Sequence, residues 1–289
     1  MQHEQVMSRP AVQVVQNDRV VLSMAHFQRV AKVLHGESGI AMPESKILLA
    51  NSRLAKRLRV LGLKDFEGYC ALVESREGEE ERGHMLAALT TNVTRFYREP
   101  HHFDDLKTNV LLPLVEKAKA GERIRLWSAA CSSGEEPYSM AMTLLSVLPD
   151  AAKLNVKILA TDIDPNILAR ARAGIYPSKS LADIPSESRS RYFHNTGDTT
   201  QVMDTLKQLI TFRELNLIRK WPIKGPFDAI FCRNVVIYFD DATQRTLWGN
   251  FVNVMKPNGR LFIGHSERVT GDAVSKLKNV GLTAYQKST

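Results

Sequence analysis

The sequence predicts an α/β protein in two parts: a small all-helical N-terminal domain, then a doubly wound domain with a mostly parallel sheet. Three observations predict it. Up to about residue 90 every apolar stretch repeats at helical spacing and nothing reads as a strand. From Arg123 onward, short runs rich in β-branched and aromatic residues alternate with helical stretches, which requires crossover connections and a sheet covered on both faces. The composition is that of an ordinary globular chain long enough for two domains: 289 residues, 44% hydrophobic, 24% charged, mean hydropathy −0.22.

The elements follow in order. Residues 1–20 mix Gln, Val and Arg without a period and read as a loosely ordered arm. Ser23 caps a helix with Phe27, Val30 and Leu34 on its apolar face, predicted to end at Gly36. Pro43 and Glu44 open a second helix through Leu48, Leu54, Leu58 and Leu61, stopped by Gly62. A third helix runs from Asp65 to Ser75, and a fourth starts near Glu79 and carries Met85, Leu86 and Leu89. The β-branched and polar stretch from Thr90 to Arg98 breaks this pattern. Pro100 then begins a long helix through Phe103, Leu106, Val110, Leu114 and Val115 to Gly121, and the domain junction is placed there: 21–105 helical, 106–289 α/β.

In the second part, Ile124–Ser128, Val156–Thr161, Phe227–Cys232 and Gly259–Gly264 read as strands, with helices over Glu135–Leu148, Pro165–Ala173 and Ala242–Met255. The alternation lapses between Tyr176 and Phe212, which predicts a small inserted subdomain, and Val280–Gln286 supplies a closing hairpin.

Thirty-nine Lys and Arg against 31 Asp and Glu give a net charge of +8, which favours an acidic partner without choosing one. There is no basic tract with interleaved aromatics of the kind a dedicated nucleic-acid binder carries. Cys70, Cys131 and Cys232 are odd in number, far apart and in no CxxC pair, so they read as reduced thiols. His101-His102 is a poor metal pair on the expectation that adjacent helical residues point apart, and no metal is expected. Val20-Val21-Leu22 is too short for a signal-peptide core, and no apolar run approaches a membrane span, so a cytoplasmic location is expected.

The most informative segment is Trp127-Ser128-Ala129-Ala130-Cys131-Ser132-Ser133-Gly134-Glu135-Glu136, at the end of the first strand where a doubly wound fold places a nucleotide ligand. Its small residues let a cofactor approach the backbone, yet GxGxxG is absent and no Walker lysine follows, which argues against phosphate cradling. Glu135 and Glu136 admit two readings. They cap the helix dipole and nothing more, or one of them holds an ammonium group. A nucleoside with a cationic tail fits the second reading: S-adenosylmethionine. Asp162, ending the second strand, stands where an acid hydrogen-bonds ribose hydroxyls, while Asp164-Pro165 caps the next helix. The polar end of the strand at Cys232-Arg233-Asn234 faces the same crevice, with Tyr238 beyond it. The Asn-Pro-Pro-Tyr signature of base-methylating enzymes is absent, which argues against RNA methylation.

Five motifs in this order resemble the chemotaxis receptor methyltransferases, the CheR family. They are Thr91 through Glu99, Ser128-Ala129-Ala130 through Tyr138, Ala160 through Asp164, Phe227 through Phe239, and Gly264-His265-Ser266-Glu267; the likeness spans about Leu22 to Tyr285. The resemblance implies a helical N-terminal domain and a Rossmann-like, S-adenosylmethionine-dependent methyltransferase domain carrying a small β-subdomain. It implies methyl esterification of receptor glutamates, with S-adenosylhomocysteine as product. A cofactor-binding signalling module without turnover is the alternative from another class. Cofactor contacts are implied for Asn92, Thr94, Arg98, Glu136, Asp162, Asn216, Leu217, Arg233 and Asn234, and Arg98 and Tyr238 are implied beside the transferring methyl. The basic second helix, with Arg53, Lys56, Arg57 and Arg59, reads on its residues as a solvated face; the resemblance implies instead that it docks the cytoplasmic helical region of chemoreceptors at the membrane-bound array. Some members also tether to a receptor C-terminal pentapeptide through a Gly-x-Gly loop. Here Phe193–Thr200 holds one glycine, so no tether is expected.

Overall fold

The computed structural model describes residues 20–90 and 92–289; the N-terminal arm, apart from Val20, lies outside the described residues. Helix α1 (Met24–Ser38) starts where Ser23 accepts the His26 N–H at 3.2 Å. It runs past Gly36 and stops at Gly39, in the left-handed region at φ 74°, whose N–H bonds the His35 carbonyl. A short 3₁₀ turn, Glu44–Lys46, leads into α2 (Ile47–Leu61), closed by Gly62. Helices α3 (Phe66–Glu74), capped by Asp65, and α4 (Glu79–Leu89) complete the domain. Its core holds Phe27, Leu34, Leu54, Leu58, Tyr69 and Met85, all buried, whereas Leu48 is exposed on the far side of α2.

The predicted long helix is a continuous run of α5 (His101–Asp105), a π-helical stretch over Leu106–Leu111, and α6 (Leu112–Lys119). Pro113 explains the irregularity. It lacks an N–H and its ring crowds the carbonyl one turn back, and widening the preceding turn to π pitch relieves both. Phe96, Phe103 and Leu106 pack with the α/β domain, while the helical core closes at Leu89. The packing therefore divides the chain between Leu89 and Phe96, ahead of the expected 105/106 junction.

The second domain continues with β1 (Ile124–Ala129), α7 (Glu135–Val147), β2 (Val156–Asp162) and α8 (Pro165–Ala173). Next come β3 (Ile175–Pro177), α9 (Ser186–Tyr192), β4 (Phe193–Asn195), β5 (Thr199–Val202) and α10 (Asp204–Lys207). The chain ends with β6 (Ile210–Glu214), β7 (Phe227–Cys232), α11 (Asp241–Val254), β8 (Met255–Ile263), β9 (Leu277–Gly281) and β10 (Ala284–Lys287). Seven strands form one sheet in the order β6-β2-β1-β7-β8-β10-β9, parallel except for the closing β9–β10 hairpin. Strands β3, β5 and β4 make the separate antiparallel sheet of the insert. Because β6 pairs with β2 in the main sheet, the insert ends before residue 210 and does not reach Phe212.

The order reverses at β1: β2 lies on one side and β7 on the other. The carboxyl ends of these three strands therefore splay apart into a crevice, the place where an open α/β sheet binds its ligand. Apolar cores on the two faces of the sheet, one around Tyr138 and Phe231 and the other around Trp127 and Trp248, hold those strand ends rigid.

Candidate active site

A cavity of about 290 Å³ opens at this switch point. Its walls come from four places: the link between α1 and α2, the stretch 92–98, the loop after β1, and the ends of β2, β6 and β7. That volume falls at the lower end of small-molecule sites.

The loop after β1 turns sharply, with Ala130 at φ 62° and Ser132 at φ 49°. Ala130, Cys131 and Ser132 line the cavity, so the run of small residues faces a ligand as the sequence predicts. Gly134 does not. It has φ 100°, and a Cβ there would meet Ala171 and the Tyr176 hydroxyl at 2.9 Å, so this glycine lets the loop pack against α8 and the insert.

The two glutamates at the start of α7 separate. Glu135 accepts the Ser133 hydroxyl at 2.7 Å and does not line the cavity. Glu136 does line it; its Oε1 accepts from Ser128 Oγ at 2.7 Å and its Oε2 pairs with Arg233 Nη1 at 3.1 Å. Burial raises the pKa of both carboxyls, and for Glu136 the Arg233 guanidinium pulls against that rise. A cationic ligand supplies the same restraint. Of the pair, Glu136 is the one that lines the cavity, while Glu135 is turned toward Ser133.

Asp162 ends β2 with its side chain at the cavity wall. Its Oδ2 accepts the Ser132 N–H at 2.8 Å and its Oδ1 the Asp164 N–H at 3.1 Å, and each oxygen keeps a further acceptor site. Asp164 caps α8 by accepting the Asn166 N–H.

Arg233, only 6% exposed, is the hub. It bridges Glu136 and Glu99 (3.1 and 3.5 Å), donates to the Arg98 carbonyl, and lies over the rings of Phe103 and Phe231. Arg98 also lines the cavity and donates from Nη1 to the Val93 carbonyl at 2.9 Å. Asn92, Thr94, Asn234 and half-buried Tyr238 join the same wall, as do Asn216 and Leu217 beyond β6. The structure thus brings every predicted cofactor and catalytic residue to one cavity.

Asn216 also ties the two domains together, donating from Nδ2 to the Glu37 carbonyl at 2.7 Å. Around it, the Ala41 N–H bonds the Tyr238 carbonyl at 2.8 Å, Ile40 bridges Phe239, and His35 meets Asp240 at 2.7 Å. The α1–α2 link therefore forms a roof over the cavity, a role for Ile40, Ala41 and Met42 that the sequence reading missed. The unbroken loop signal between Gly36 and Pro43 was the only clue to it.

Two expectations change. His101 and His102 do not point apart: their rings sit 4.2 Å apart, and with Glu99 they place ligand-type atoms within 4.8 Å of one another. Arg233 stands 3.5 Å from that same Glu99 oxygen, and burial together with Arg233 lowers the His102 pKa to about 3, keeping the ring neutral. On α2, Arg53 donates to the Ala88 and Thr90 carbonyls, and Arg57 forms a two-pronged pair with buried Glu81. Both are committed inside the helical domain, which leaves Lys56 and Arg59 as the exposed cations of the predicted docking set.

The cavity suits S-adenosylmethionine on its own chemistry. The charged lining is Lys46, Arg95, Arg98 and Arg233 with Glu136 and Asp162, so the two acids serve as local partners for an ammonium and a ribose, while the roof and Leu215 give an apolar end for a purine. A doubly wound sheet with such a crevice at its switch point is the architecture of S-adenosylmethionine-dependent methyltransferases, and the family match places the chain among them. The family profile described as CheR methyltransferase, SAM binding domain, matches residues 92–286, and that described as CheR methyltransferase, all-alpha domain, matches residues 25–90. The chain belongs to the CheR methyltransferase family. It is 49% identical to a probable chemotaxis protein methyltransferase of Rhizobium etli, over 89% of this chain and 97% of that protein. It is 43% identical to the chemotaxis protein methyltransferase of Escherichia coli over 86% of each chain. Against its counterpart from Salmonella typhimurium it is 40% identical, over 93% of this chain and 92% of that one. Among the described residues no helix is long and apolar enough to cross a membrane.

Proposed function

We propose that the protein methylates glutamate side chains of chemoreceptors, forming methyl esters, and acts at the receptor array from the cytoplasm. The observation that carries the reading is that Glu136 and Asp162, two acids from the ends of neighbouring elements, line one cavity together with Arg98 and Tyr238. Glu136 holds the ammonium end of the cofactor, Asp162 the ribose, and Asn92, Thr94, Asn216, Leu217 and Asn234 complete the enclosure. When bound, S-adenosylmethionine supplies an electrophilic methyl group that carries its own leaving group.

No side chain has to remove a proton from the substrate, because a glutamate with a pKa of about 4.3 is already ionised at neutral pH. What this chain contributes is placement and dryness. Arg98 receives the substrate carboxylate and Tyr238 steers one of its oxygens, and the roof keeps water from the attacking oxygen. The test is incubation with labelled cofactor and receptor membranes, followed by alkaline treatment. Label released as methanol is the expected result; base-stable label, or label in RNA, overturns the reading. In the same assay Arg98→Ala and Tyr238→Phe are expected to lower turnover by about 10- to 100-fold, and wild-type rates in both would remove their assigned roles.

Docking falls to the exposed cations of α2. Lys56→Glu with Arg59→Glu is expected to raise the KM for receptor, most visibly at low salt, with calorimetric cofactor affinity unchanged. Arg57→Glu is expected to lower the melting temperature instead, because it leaves Glu81 buried without its partner. An unchanged receptor KM in the double variant refutes this surface. The hairpin between β4 and β5 turns at Gly197, and docking through the exposed cations of α2 needs no pentapeptide tether.

A further inference from the structure

We infer that Glu267 is a positioning residue for methyl transfer, acting through the backbone of residues 234–236. The inference rests on the reading of the cavity as the methyl-transfer site. Glu267 follows β8, is 4% exposed, and does not line the cavity. Among the described residues it has no cationic partner within ion-pair distance. Its carboxylate instead accepts four backbone N–H groups. Oε2 takes those of Gly264 and Asn234 at 2.5 and 3.0 Å, and Oε1 takes those of Val235 and Val236 at 2.9 and 2.7 Å.

The geometry has a clear purpose. After Cys232 the chain leaves the sheet and turns abruptly through Asn234, at φ 58°. From there to Tyr238 it forms one wall of the cavity, with Asn234, Val235 and Tyr238 all facing it. Backbone that has left a sheet has lost its ladder partners, and buried N–H groups without acceptors are costly. One carboxylate replaces the missing strand: its two oxygens, each with two acceptor positions, satisfy all four donors at once. The anion is in turn stabilised by them, since hydrogen bonds to a charged acceptor are shorter and stronger than neutral ones. The segment is thereby held in a single register against β8, and with it the height of Tyr238 above the cavity floor.

An amide cannot do this. Glutamine offers one acceptor oxygen and turns an NH₂ toward two N–H donors. Glu267→Gln is therefore expected to let the segment shift and to lower kcat for receptor methylation by about 100-fold, the scale of a misplacement near 1 Å. Calorimetric affinity for S-adenosylmethionine, which needs no receptor, is expected to fall about tenfold as the wall loosens.

A second variant approaches the same segment from the other side. A Cβ at Gly264 would lie 2.5 Å from Asn234 Nδ2 and 2.7 Å from its backbone N. That Cβ would also lie 2.9 Å from Glu267 Oε2, so Gly264→Ala forces the carboxylate and residue 234 apart without removing the acid, and the same two losses are expected. If Glu267→Gln does not fold, Gly264→Ala alone decides. A residue that merely held the fold together would lower the melting temperature and leave kcat and cofactor affinity per folded molecule at wild-type values; that result in either folded variant overturns the inference. Failure of the wild-type enzyme to esterify receptors would instead count against the proposed substrate, and the cofactor titration would still test Glu267.

Discussion

Arg233→Met is expected to destabilise the α/β domain by roughly 3–5 kcal/mol, to lower its melting temperature by about 10 °C, and to abolish methyl transfer. The arginine bridges two carboxylates, Glu136 and Glu99, whose side chains are 12% and 13% exposed. Methionine keeps much of the side-chain bulk over Phe103 and Phe231 but leaves both acids without a counter-charge. The pH dependence separates this from ordinary loss of packing. In the wild type, burial raises the pKa of Glu136, with Arg233 restraining the rise. Glu99 lies below its ordinary value despite burial because Arg233 and its hydrogen-bonding neighbours outweigh desolvation.

Without the guanidinium, both folded-state values move up. A carboxyl whose folded pKa is raised takes up a proton on folding, so the variant gains stability as pH falls through that value and loses it as pH rises. The wild-type contribution of Glu99 has the opposite sense: a lowered folded pKa stabilises above the unfolded value and is lost as acid protonates it. The stability gap between the two proteins is therefore expected to be widest near pH 8 and to narrow toward pH 5. Melting curves across that range measure it, and a gap that does not vary with pH would mean that the carboxylates are not what Arg233 serves.

The features legible in the sequence share a cause. Caps at Ser23, Asp65 and Asp164 and the small-residue loop after β1 depend on neighbours within a few positions, and local chemistry determines them. The alternation of strands and helices exposes the parallel sheet for the same reason. What stayed illegible depends on groups far away in the chain. Glu135 and Glu136 suit a helix N-terminus equally, and only the rotation of α7 against β1 and β7 turns one toward Arg233 and the other toward Ser133.

Arg53 and Arg57 sit on the polar side of any helical wheel of α2. Their partners, two carbonyls at the end of α4 and buried Glu81, are supplied by a helix some 25 to 35 residues further along, so the wheel reads as a solvated face what tertiary packing makes an internal clamp. Glu267 is the same case at greater range. Three of its four donors lie about 30 positions upstream, and as an isolated acid after a strand it carries no local signal of its role.

Asp162→Ala is expected to weaken S-adenosylmethionine binding by two to four orders of magnitude. A carboxylate that accepts both hydroxyls of a ribose makes two charge-assisted hydrogen bonds, each worth about 1.5–3 kcal/mol, and every 1.4 kcal/mol is a factor of ten in affinity. The loss has a second source. Asp162 also fixes the loop after β1 by accepting the Ser132 N–H, and without it a backbone donor in a left-handed turn at φ 49° is left unsatisfied. The two sources can be told apart with a cofactor analogue lacking the ribose 2′-hydroxyl. If the carboxylate grips the sugar, the analogue binds wild type more weakly than S-adenosylmethionine but binds Asp162→Ala equally well, because the partner of the missing hydroxyl is already gone. If Asp162 only braces the loop, the deoxy penalty persists undiminished in the variant. Since burial raises the pKa of this acid, with the Asp164 and Ser132 N–H groups opposing the rise, affinity in the wild type is also expected to fall as pH drops through the raised value. The alanine variant, having no group left to titrate at that position, is expected to show a flatter profile, and calorimetric titration at several pH values measures both slopes.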